Sequence, residues 1–206
     1  MDVSLVALLG VTVVGPLMAA IALYIKLVSS GPVLFKQERV GYLGRIFTCY
    51  KFRSMKPDAE VLSHQQHTAD LIRRADVPMQ KMDKGDPRLI PGGEWLRASG
   101  LDELPQFFNI LRGEMSLVGP RPCVPYEYAQ YQPWQKLRVE VAPGLTGLWQ
   151  VSGKNKTTFS EMIQMDIEYW QSRSLWLDLK IIFKTVPAVV EQVRQSRQAR
   201  SSSNSR

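Results

Sequence analysis

Two adjacent carboxylates, Asp102 and Glu103, lie in the segment LDELP at residues 101–105. Proline is tolerated only in the first turn of a helix, so Pro105 predicts that a helix begins here. In the simplest interpretation Asp102 caps this helix and Glu103 complements its dipole. The pair could also do chemistry. Neighbouring helical residues project about 100° apart, so one carboxylate could attack a substrate while the other holds a metal. The helix start would keep the attacking carboxylate ionised and attract phosphate.

Four basic residues are candidates for binding phosphate. Lys51 and Arg53 alternate along a predicted strand and so share one of its faces. Arg97 lies five residues before the first carboxylate, and Arg121 stands between two prolines. A stiff backbone suits an arginine that grips phosphate oxygens with two nitrogens. Each of the four could instead belong to an ordinary solvated basic surface.

Other patterns predict no further site. His64 and His67 have the spacing HxxH, but they lie in a polar loop without further ligands, so we expect no metal there. The two cysteines, Cys49 and Cys123, form neither a CxxC pair nor a disulfide framework. The sequence contains no glycine-rich phosphate loop of the P-loop or dinucleotide type.

Composition and charge limit the class of protein. The 206 residues carry a formal net charge of +7, and 45% of them are hydrophobic, which is enough for a core and excludes a wholly disordered chain. The positive charge would suit nucleic acid, but no helix-turn-helix, zinc or aromatic-stacking pattern accompanies it. We therefore expect no nucleic-acid partner. The same charge suits anionic lipid headgroups.

Residues 3–25 contain no charged side chain. As a helix they would be about 35 Å long, against about 30 Å for the hydrocarbon core of a bilayer. A secretory signal needs a basic start, which the chain lacks, and a buried core helix is the other alternative. The pattern favours a membrane segment, and the basic residues that follow it place the body of the protein on the cytoplasmic side.

Gly15 and Pro16 lie near the middle of this segment and predict a sharp kink, because proline removes a backbone donor and clashes with the preceding turn. The kinked helix either spans the bilayer or enters and leaves on the cytoplasmic face. Hydropathy does not distinguish these two arrangements.

Short strands and helices follow, which predicts an α+β fold. Residues 33–40 and 45–55 flank a four-residue loop and predict a β-hairpin. Residues 56–92 are polar and proline-rich, so they predict mixed helix and loop. Apolar residues at helical spacing over 104–111 predict a helix that ends at Gly113.

The last third of the chain predicts two longer helices. Thr158 and Glu161 form a capping-box signature at the start of the first. Residues 175–193 are apolar with interspersed lysines and predict an amphipathic helix at the membrane interface. From Arg194 onward the composition predicts a disordered basic tail. The predicted organisation is a membrane helix at 1–28, a catalytic domain at 29–193 and the tail at 194–206.

Ordered motifs cover residues 2–190 and resemble those of the bacterial monotopic phosphoglycosyl transferases, which attach sugar 1-phosphates to polyprenyl phosphate. The motifs are GPVLFKQERVG at 31–41, YKFRSM at 50–55, LDELPQ at 101–106, SLVGPRP at 116–122, PGLTGLWQVSG at 143–153 and LWLD at 175–178. In length the chain resembles a minimal catalytic form of the family.

The resemblance implies a re-entrant membrane helix that is broken at Gly15 and Pro16. It implies that Asp102 attacks the β-phosphate of a UDP-sugar and releases UMP, and that polyprenyl (undecaprenyl) phosphate then accepts the sugar phosphate. Glu103 would help to hold Mg²⁺. The residues implied in phosphate binding are Lys51, Arg53, Arg97 and Arg121. The implied location is the cytoplasmic face of the bacterial inner membrane, at the first membrane step of exopolysaccharide, O-antigen or capsule synthesis. The motifs leave the oligomeric state open, and for a small protein at a membrane surface we expect a homodimer.

Three positions depart from the family pattern. Gly100 replaces the usual Ser or Thr, which we expect to loosen the turn before Asp102. Glu114 replaces an Asp, and Ala142 replaces a basic residue whose contact Arg138 could supply. The alternative to an enzyme is an inactive membrane-anchored scaffold in an envelope assembly. The intact pair of carboxylates favours the enzyme, while the motifs leave the donor sugar open.

Overall fold

The structure is a computed structural model, and it describes residues 14–56, 86–153 and 157–203. Its helices and strands confirm the predicted α+β class. They are α1 (Gly15–Val28), β1 (Leu34–Val40), β2 (Ile46–Phe52), α2 (Gly93–Ser99), α3 (Phe107–Leu111), β3 (Ser116–Val118), α4 (Pro125–Tyr128), β4 (Gly144–Thr146), α5 (Leu148–Val151), α6 (Phe159–Ser172) and α7 (Leu175–Ser203). The described residues also form three 3₁₀ helices: Tyr42–Gly44, Leu101–Gln106 and Gln135–Val139.

The predicted hairpin is confirmed. Strands β1 and β2 pair antiparallel, with Gln37 opposite Cys49. In the turn, Leu43 has a φ of 53° and Gly44 a φ of 78°, so the chain reverses through two left-handed residues. The second strand ends at Phe52, three residues earlier than the pattern indicates.

Helix α1 packs against the hairpin and α2 through one face. Ile21 and Ile25 are buried there with Phe52 and Leu96, and the Tyr24 hydroxyl donates to the Pro91 carbonyl at 3.0 Å. The other face of α1 exposes leucines, including Leu23 and Leu27 at 62% and 77%. The helix therefore has one apolar side in the core and one outside it.

Pro16 lies in the first turn of α1, where proline costs no helical hydrogen bond. The predicted kink and re-entrant path involve residues 1–13, which lie outside the described part of the chain. Among the described helices, none is both long and apolar enough to cross a membrane.

Of the region 56–92, the structure describes residue 56 and residues 86–92. Leu89 forms an antiparallel bridge with Met55, which directly precedes the region. His64 and His67 lie outside the described residues, so the expectation that they bind no metal stays a prediction.

Strands β3 and β4 form a two-stranded parallel sheet, and the chain between them carries α4 and the 3₁₀ helix Gln135–Val139. Two glycines let the connecting segments pass each other. A Cβ at Gly119 would overlap the Ala142 carbonyl, and one at Gly144 would overlap the Gly119 nitrogen. This close contact fixes where residues 120–123 lie relative to 142–144.

The predicted capping box is confirmed, because the Thr158 side chain accepts from the Glu161 amide and the Glu161 carboxylate accepts from the Thr158 amide. Helix α6 then buries its apolar face in a core with Trp149 and Tyr131. Gly113 follows α3 with a φ of 72°, as its predicted role in ending that helix requires.

The tail predicted to be disordered from Arg194 instead continues α7 to Ser203. Glutamine, arginine and alanine are good helix formers, and the extension packs against α2. Ser196 Oγ donates to Glu94 Oε1 at 3.0 Å, which gives this end of the helix a tertiary contact that composition alone does not reveal.

Candidate active site

Asp102 lies in the first turn of the 3₁₀ helix Leu101–Gln106 and is 7% exposed. It does not cap an α-helix, because Gly100 ends α2 in a left-handed conformation and the next helix begins at once. The φ of 71° at Gly100 favours glycine over the Ser or Thr usual in the family. Gly100 thus provides a tight reversal before Asp102, where we expected a looser turn.

The hairpin holds the side chain of Glu103. Lys51 Nζ on β2 lies 2.6 Å from Glu103 Oε1, with both side chains partly exposed. The buried Asp102 and the more accessible Glu103 therefore occupy different environments. That the two carboxylates face different directions stays a prediction.

Arg121, the fourth predicted phosphate-binding residue, differs from Lys51 and Arg53 in its contacts with the described residues. Its backbone lies in the Pro120–Pro122 segment, and its guanidinium makes no hydrogen bond or ion pair within the described residues. The charges of Arg121, Glu103 and Lys51 all act on the buried thiol of Cys49, whose pKa is raised chiefly by burial. Arg121 is therefore close enough to the hairpin for its charge to act on Cys49.

Arg97 lies on α2, one turn before the 3₁₀ helix that carries Asp102. Its carbonyl accepts a hydrogen bond from Gln192 Nε2 of α7 at 3.2 Å. The structure thus connects this residue to the last helix. Phosphate binding by its side chain stays a prediction.

Arg53 has a different role from the one predicted. It is 5% exposed, and its guanidinium donates to the Pro32 carbonyl at 2.6 Å, to Ser29 Oγ at 2.9 Å and to the Ser29 carbonyl at 3.0 Å. Strand β2 has ended at Phe52, so alternation no longer keeps Arg53 on the face of Lys51. Arg53 joins the end of α1 to the hairpin, and no nitrogen of its guanidinium is left without a partner.

Asn109 on α3 is fully buried and was not predicted as a site residue. Its Oδ1 accepts from the Tyr50 amide at 3.2 Å, and its Nδ2 donates to the Thr48 carbonyl at 2.7 Å and to Glu114 Oε2 at 2.6 Å. Asn109 thereby fastens the helix after the Asp102 segment to the strand that carries Lys51. The Glu114 found in place of the family's Asp reaches this amide.

A buried ionic cluster lies beneath Arg121, and the sequence analysis missed most of it. Arg138 is 2% exposed and lies 2.5 Å from Asp166 Oδ2, while Glu127 Oε1 is 3.7 Å away. Burial raises the pKa of the Asp166 carboxyl, and the neighbouring Arg138 opposes this shift. Arg138 is thus enclosed and cannot supply the surface contact expected in place of Ala142.

No sequence signal could have identified this cluster. Its members come from α4, a 3₁₀ helix and α6, and charged residues with such spacing usually lie on the surface. Their burial depends on contacts between elements that are distant in the chain.

The residues at the site fit a magnesium ion bound together with a substrate. No group of three His, Cys, Asp or Glu side chains converges in the part of the chain that the structure describes. Magnesium needs only one or two carboxylates when phosphate oxygens and waters supply the other ligands. Glu103 is partly exposed and offers carboxylate oxygens of the required chemistry.

Comparison with known proteins agrees with the motifs. The sequence model of the family described as bacterial sugar transferase matches residues 1–192. The galactosyl transferase CpsE of Streptococcus agalactiae is 45% identical over 166 residues, which cover 78% of this chain and 35% of the relative. The UDP-glucose:undecaprenyl-phosphate glucose-1-phosphate transferase of Xanthomonas campestris is 40% identical over 200 residues, which cover 92% and 37%.

A shorter relative is matched over most of its length. The exopolysaccharide production protein ExoY of Sinorhizobium fredii is 37% identical over 185 residues, which cover 90% of this chain and 82% of the relative. The chain spans about a third of the two longer relatives. Since the family model covers nearly the whole chain, this protein belongs to the bacterial sugar transferase family.

Proposed function

We propose that this protein transfers a sugar 1-phosphate from a UDP-sugar to polyprenyl (undecaprenyl) phosphate, and that Asp102 is the nucleophile. The supporting observation is the nearly buried Asp102 beside the Glu103–Lys51 pair. The name of the Xanthomonas relative specifies a UDP-sugar donor and an undecaprenyl-phosphate acceptor. The product, a polyprenyl-diphosphate sugar, would begin exopolysaccharide, O-antigen or capsule synthesis.

The proposed reaction has two displacements at one phosphorus atom. A carboxylate oxygen of Asp102 attacks the β-phosphorus of the UDP-sugar, the bond to the bridging oxygen breaks, and UMP leaves with that oxygen. A phosphate oxygen of the lipid then attacks the same phosphorus and releases the Asp102 carboxylate. Covalent capture allows a soluble donor and a lipid acceptor to use one site in turn.

The protein's own groups would lower the barrier through charge and position. An anionic nucleophile is repelled by a diphosphate, so cations near the phosphates are required. The Arg121 guanidinium has no partner within the described residues and supplies one such cation, with Arg97 as the second candidate. Lys51 fixes the Glu103 carboxylate. When bound, Mg²⁺ held by Glu103 would neutralise the diphosphate and the departing UMP.

We further propose that the protein acts at the cytoplasmic face of the bacterial inner membrane, with α1 re-entrant and α7 at the interface. Exposed apolar side chains on both helices support this location. Cysteines introduced at position 3 and at position 27, which is an exposed leucine at the end of α1, should be labelled only from the cytoplasmic side. Labelling of position 3 from outside would indicate a spanning helix. Chemical crosslinking in membranes would test the expected homodimer.

The reaction is tested by UMP release from detergent-solubilised protein with Mg²⁺, undecaprenyl phosphate and a panel of UDP-sugars. We expect release with one donor, and loss of release in Asp102→Asn and without Mg²⁺. The asparagine variant keeps the size of the side chain, so circular dichroism should show an unchanged fold. A folded Asp102→Asn protein with normal turnover would exclude Asp102 as nucleophile. A folded wild-type protein inactive with every donor would favour the scaffold.

A further inference from the structure

Four successive carbonyls, from Pro120 to Cys123, each accept a hydrogen bond from a different partner. The Gly144 amide donates to Pro120 at 2.9 Å and the Val40 amide donates to Cys123 at 2.9 Å. The two carbonyls between them receive guanidinium groups. Because Pro120 and Pro122 have no backbone N–H, this segment can be anchored by main-chain hydrogen bonds mainly through its carbonyls.

Arg138 holds the carbonyl of Arg121. Its Nη2 donates to that oxygen at 2.9 Å and also lies against Asp166, while its Nη1 donates to the Tyr131 hydroxyl at 2.6 Å. The Tyr131 hydroxyl in turn makes a short hydrogen bond to Glu127. The Arg138 guanidinium is therefore held in place by Tyr131 and Asp166 as well as by the Arg121 carbonyl.

Arg39, on strand β1, holds the next carbonyl. It is 6% exposed, its Nη1 donates to the Pro122 carbonyl at 2.9 Å, and its Nη2 donates to Gln37 Oε1 at 2.6 Å. No carboxylate of the described residues lies within ion-pair distance of it, and its Nε is buried without a hydrogen bond. A buried cation without an anionic partner is costly, so its contacts with neutral oxygens call for an explanation.

The segment that these two arginines hold presents the Arg121 side chain, whose guanidinium has no partner in the described part of the chain. We propose that Arg39 and Arg138 are positioning residues that fix the Arg121 backbone through two successive carbonyls and so aim its guanidinium at the substrate phosphates. This inference rests on the proposed function. It assigns a role to two buried charges that do not reach the substrate themselves.

A double-mutant cycle tests this role. Arg39→Lys keeps the charge but removes the planar fork, and it leaves no buried carboxylate without its partner. If Arg39 acts through Arg121, Arg39→Lys lowers kcat/KM for the UDP-sugar about tenfold in the wild-type background and less than about twofold in an Arg121→Ala background. Arg138→Lys should behave in the same way.

Arg53→Lys is the matched control. Arg53 is equally buried and also donates to backbone carbonyls, but these belong to Ser29 and Pro32. Its effect on kcat/KM should be the same fold-change in both backgrounds. Equal losses for Arg39→Lys in both backgrounds would overturn the proposal, because a merely structural residue behaves in that way.

Hydrogen–deuterium exchange gives a readout that does not need turnover. The amides of Gly119, Gly144 and Val40, whose hydrogen bonds anchor this segment, should exchange faster in Arg39→Lys and in Arg138→Lys, and at the wild-type rate in Arg53→Lys. Unchanged exchange in both of the first two variants overturns the proposal even in an active enzyme. If the wild-type protein releases no UMP, the proposed function fails separately, and the cycle is then run on binding of inorganic pyrophosphate. If Arg138→Lys does not fold, Arg39→Lys decides the question alone.

Discussion

Lys51 Nζ lies 2.6 Å from Glu103 Oε1 and joins the second hairpin strand to the 3₁₀ helix that carries both carboxylates. The two residues are 52 positions apart in the chain. A carboxylate has more acceptor positions than one ammonium group can fill, so this ion pair can orient Glu103 and still be compatible with a metal. The Lys51 ammonium has three N–H donors and uses one of them here, so its predicted binding of phosphate stays a prediction.

Replacing Lys51 by methionine should therefore reduce UMP release by about tenfold or more, because supporting contacts around a metal-binding carboxylate typically have effects of that size. Lys51→Arg, which keeps the charge, should retain more activity. Steady-state rates over a range of Mg²⁺ concentrations measure both effects. Wild-type rates for Lys51→Met at all concentrations would show that the pair is incidental.

Substitutions of Arg121 and Arg53 should have different effects, the first on substrate binding and the second on the stability of the fold. Arg121→Ala should raise KM for the UDP-sugar about tenfold to a hundredfold, since hydrogen bonds to charged groups contribute about 1.5–3 kcal/mol. Arg53→Gln should instead lower the free energy of unfolding, because it leaves the Ser29 and Pro32 carbonyls without their donor. Kinetics and urea denaturation of each variant give the two quantities. If Arg53→Gln raised KM and left the free energy of unfolding unchanged, Arg53 would instead be a substrate-binding residue.

Asn109→Ala should destabilise the protein by about 2–4 kcal/mol, since it removes a fully buried amide and leaves its partners on β2 unsatisfied. Gln130→Ala is the control, because the Gln130 amide is exposed and donates only to the Tyr126 carbonyl. That control should change the free energy of unfolding by less than about 0.5 kcal/mol. Similar values for the two variants in urea denaturation would contradict the anchoring role of Asn109.

Exposed side chains on α7 should bind the membrane surface. Trp176 and Phe183 are 78% and 75% exposed, and their spacing of seven residues places them on the same side of the helix. The double variant Trp176→Ser with Phe183→Ser should weaken cosedimentation with anionic liposomes and leave the melting temperature unchanged. Ile46→Ser, at an exposed apolar position on the hairpin, serves as control. Equal liposome binding by all three proteins would exclude α7 as an interfacial helix.

The Cys123 thiol should be unreactive and should affect stability only at high pH. Burial raises its pKa from the ordinary 9.0 to about 11. Because the folded protein holds this proton more tightly, the stabilisation is complete below pH 9 and is lost as the pH rises through 11. The difference in free energy of unfolding between wild type and Cys123→Ala should therefore shrink by up to about 2 kcal/mol over that range. A constant difference, or rapid thiol alkylation at pH 8, would be the contrary result.

Local elements were predictable because their causes are local. The alternating residues of 33–40, the turn at 41–44 and the capping box at Thr158 and Glu161 each act within a few positions of the chain. The motif around Asp102 was likewise recognisable from its order of residue types. The sequence therefore determined the α+β class, the hairpin, the family and the residues that carry the proposed chemistry.

Tertiary structure alone decided how the charged residues divide their roles. Lys51 pairs with Glu103, Arg53 holds Ser29, and Arg39 and Arg138 hold the carbonyls beside Arg121. Each partner lies 17 to 83 positions away, so no local pattern distinguishes a buried arginine from a solvated one. A charged side chain can be buried only where folding brings hydrogen-bonding or oppositely charged groups against it. Those groups become its neighbours only in the folded chain.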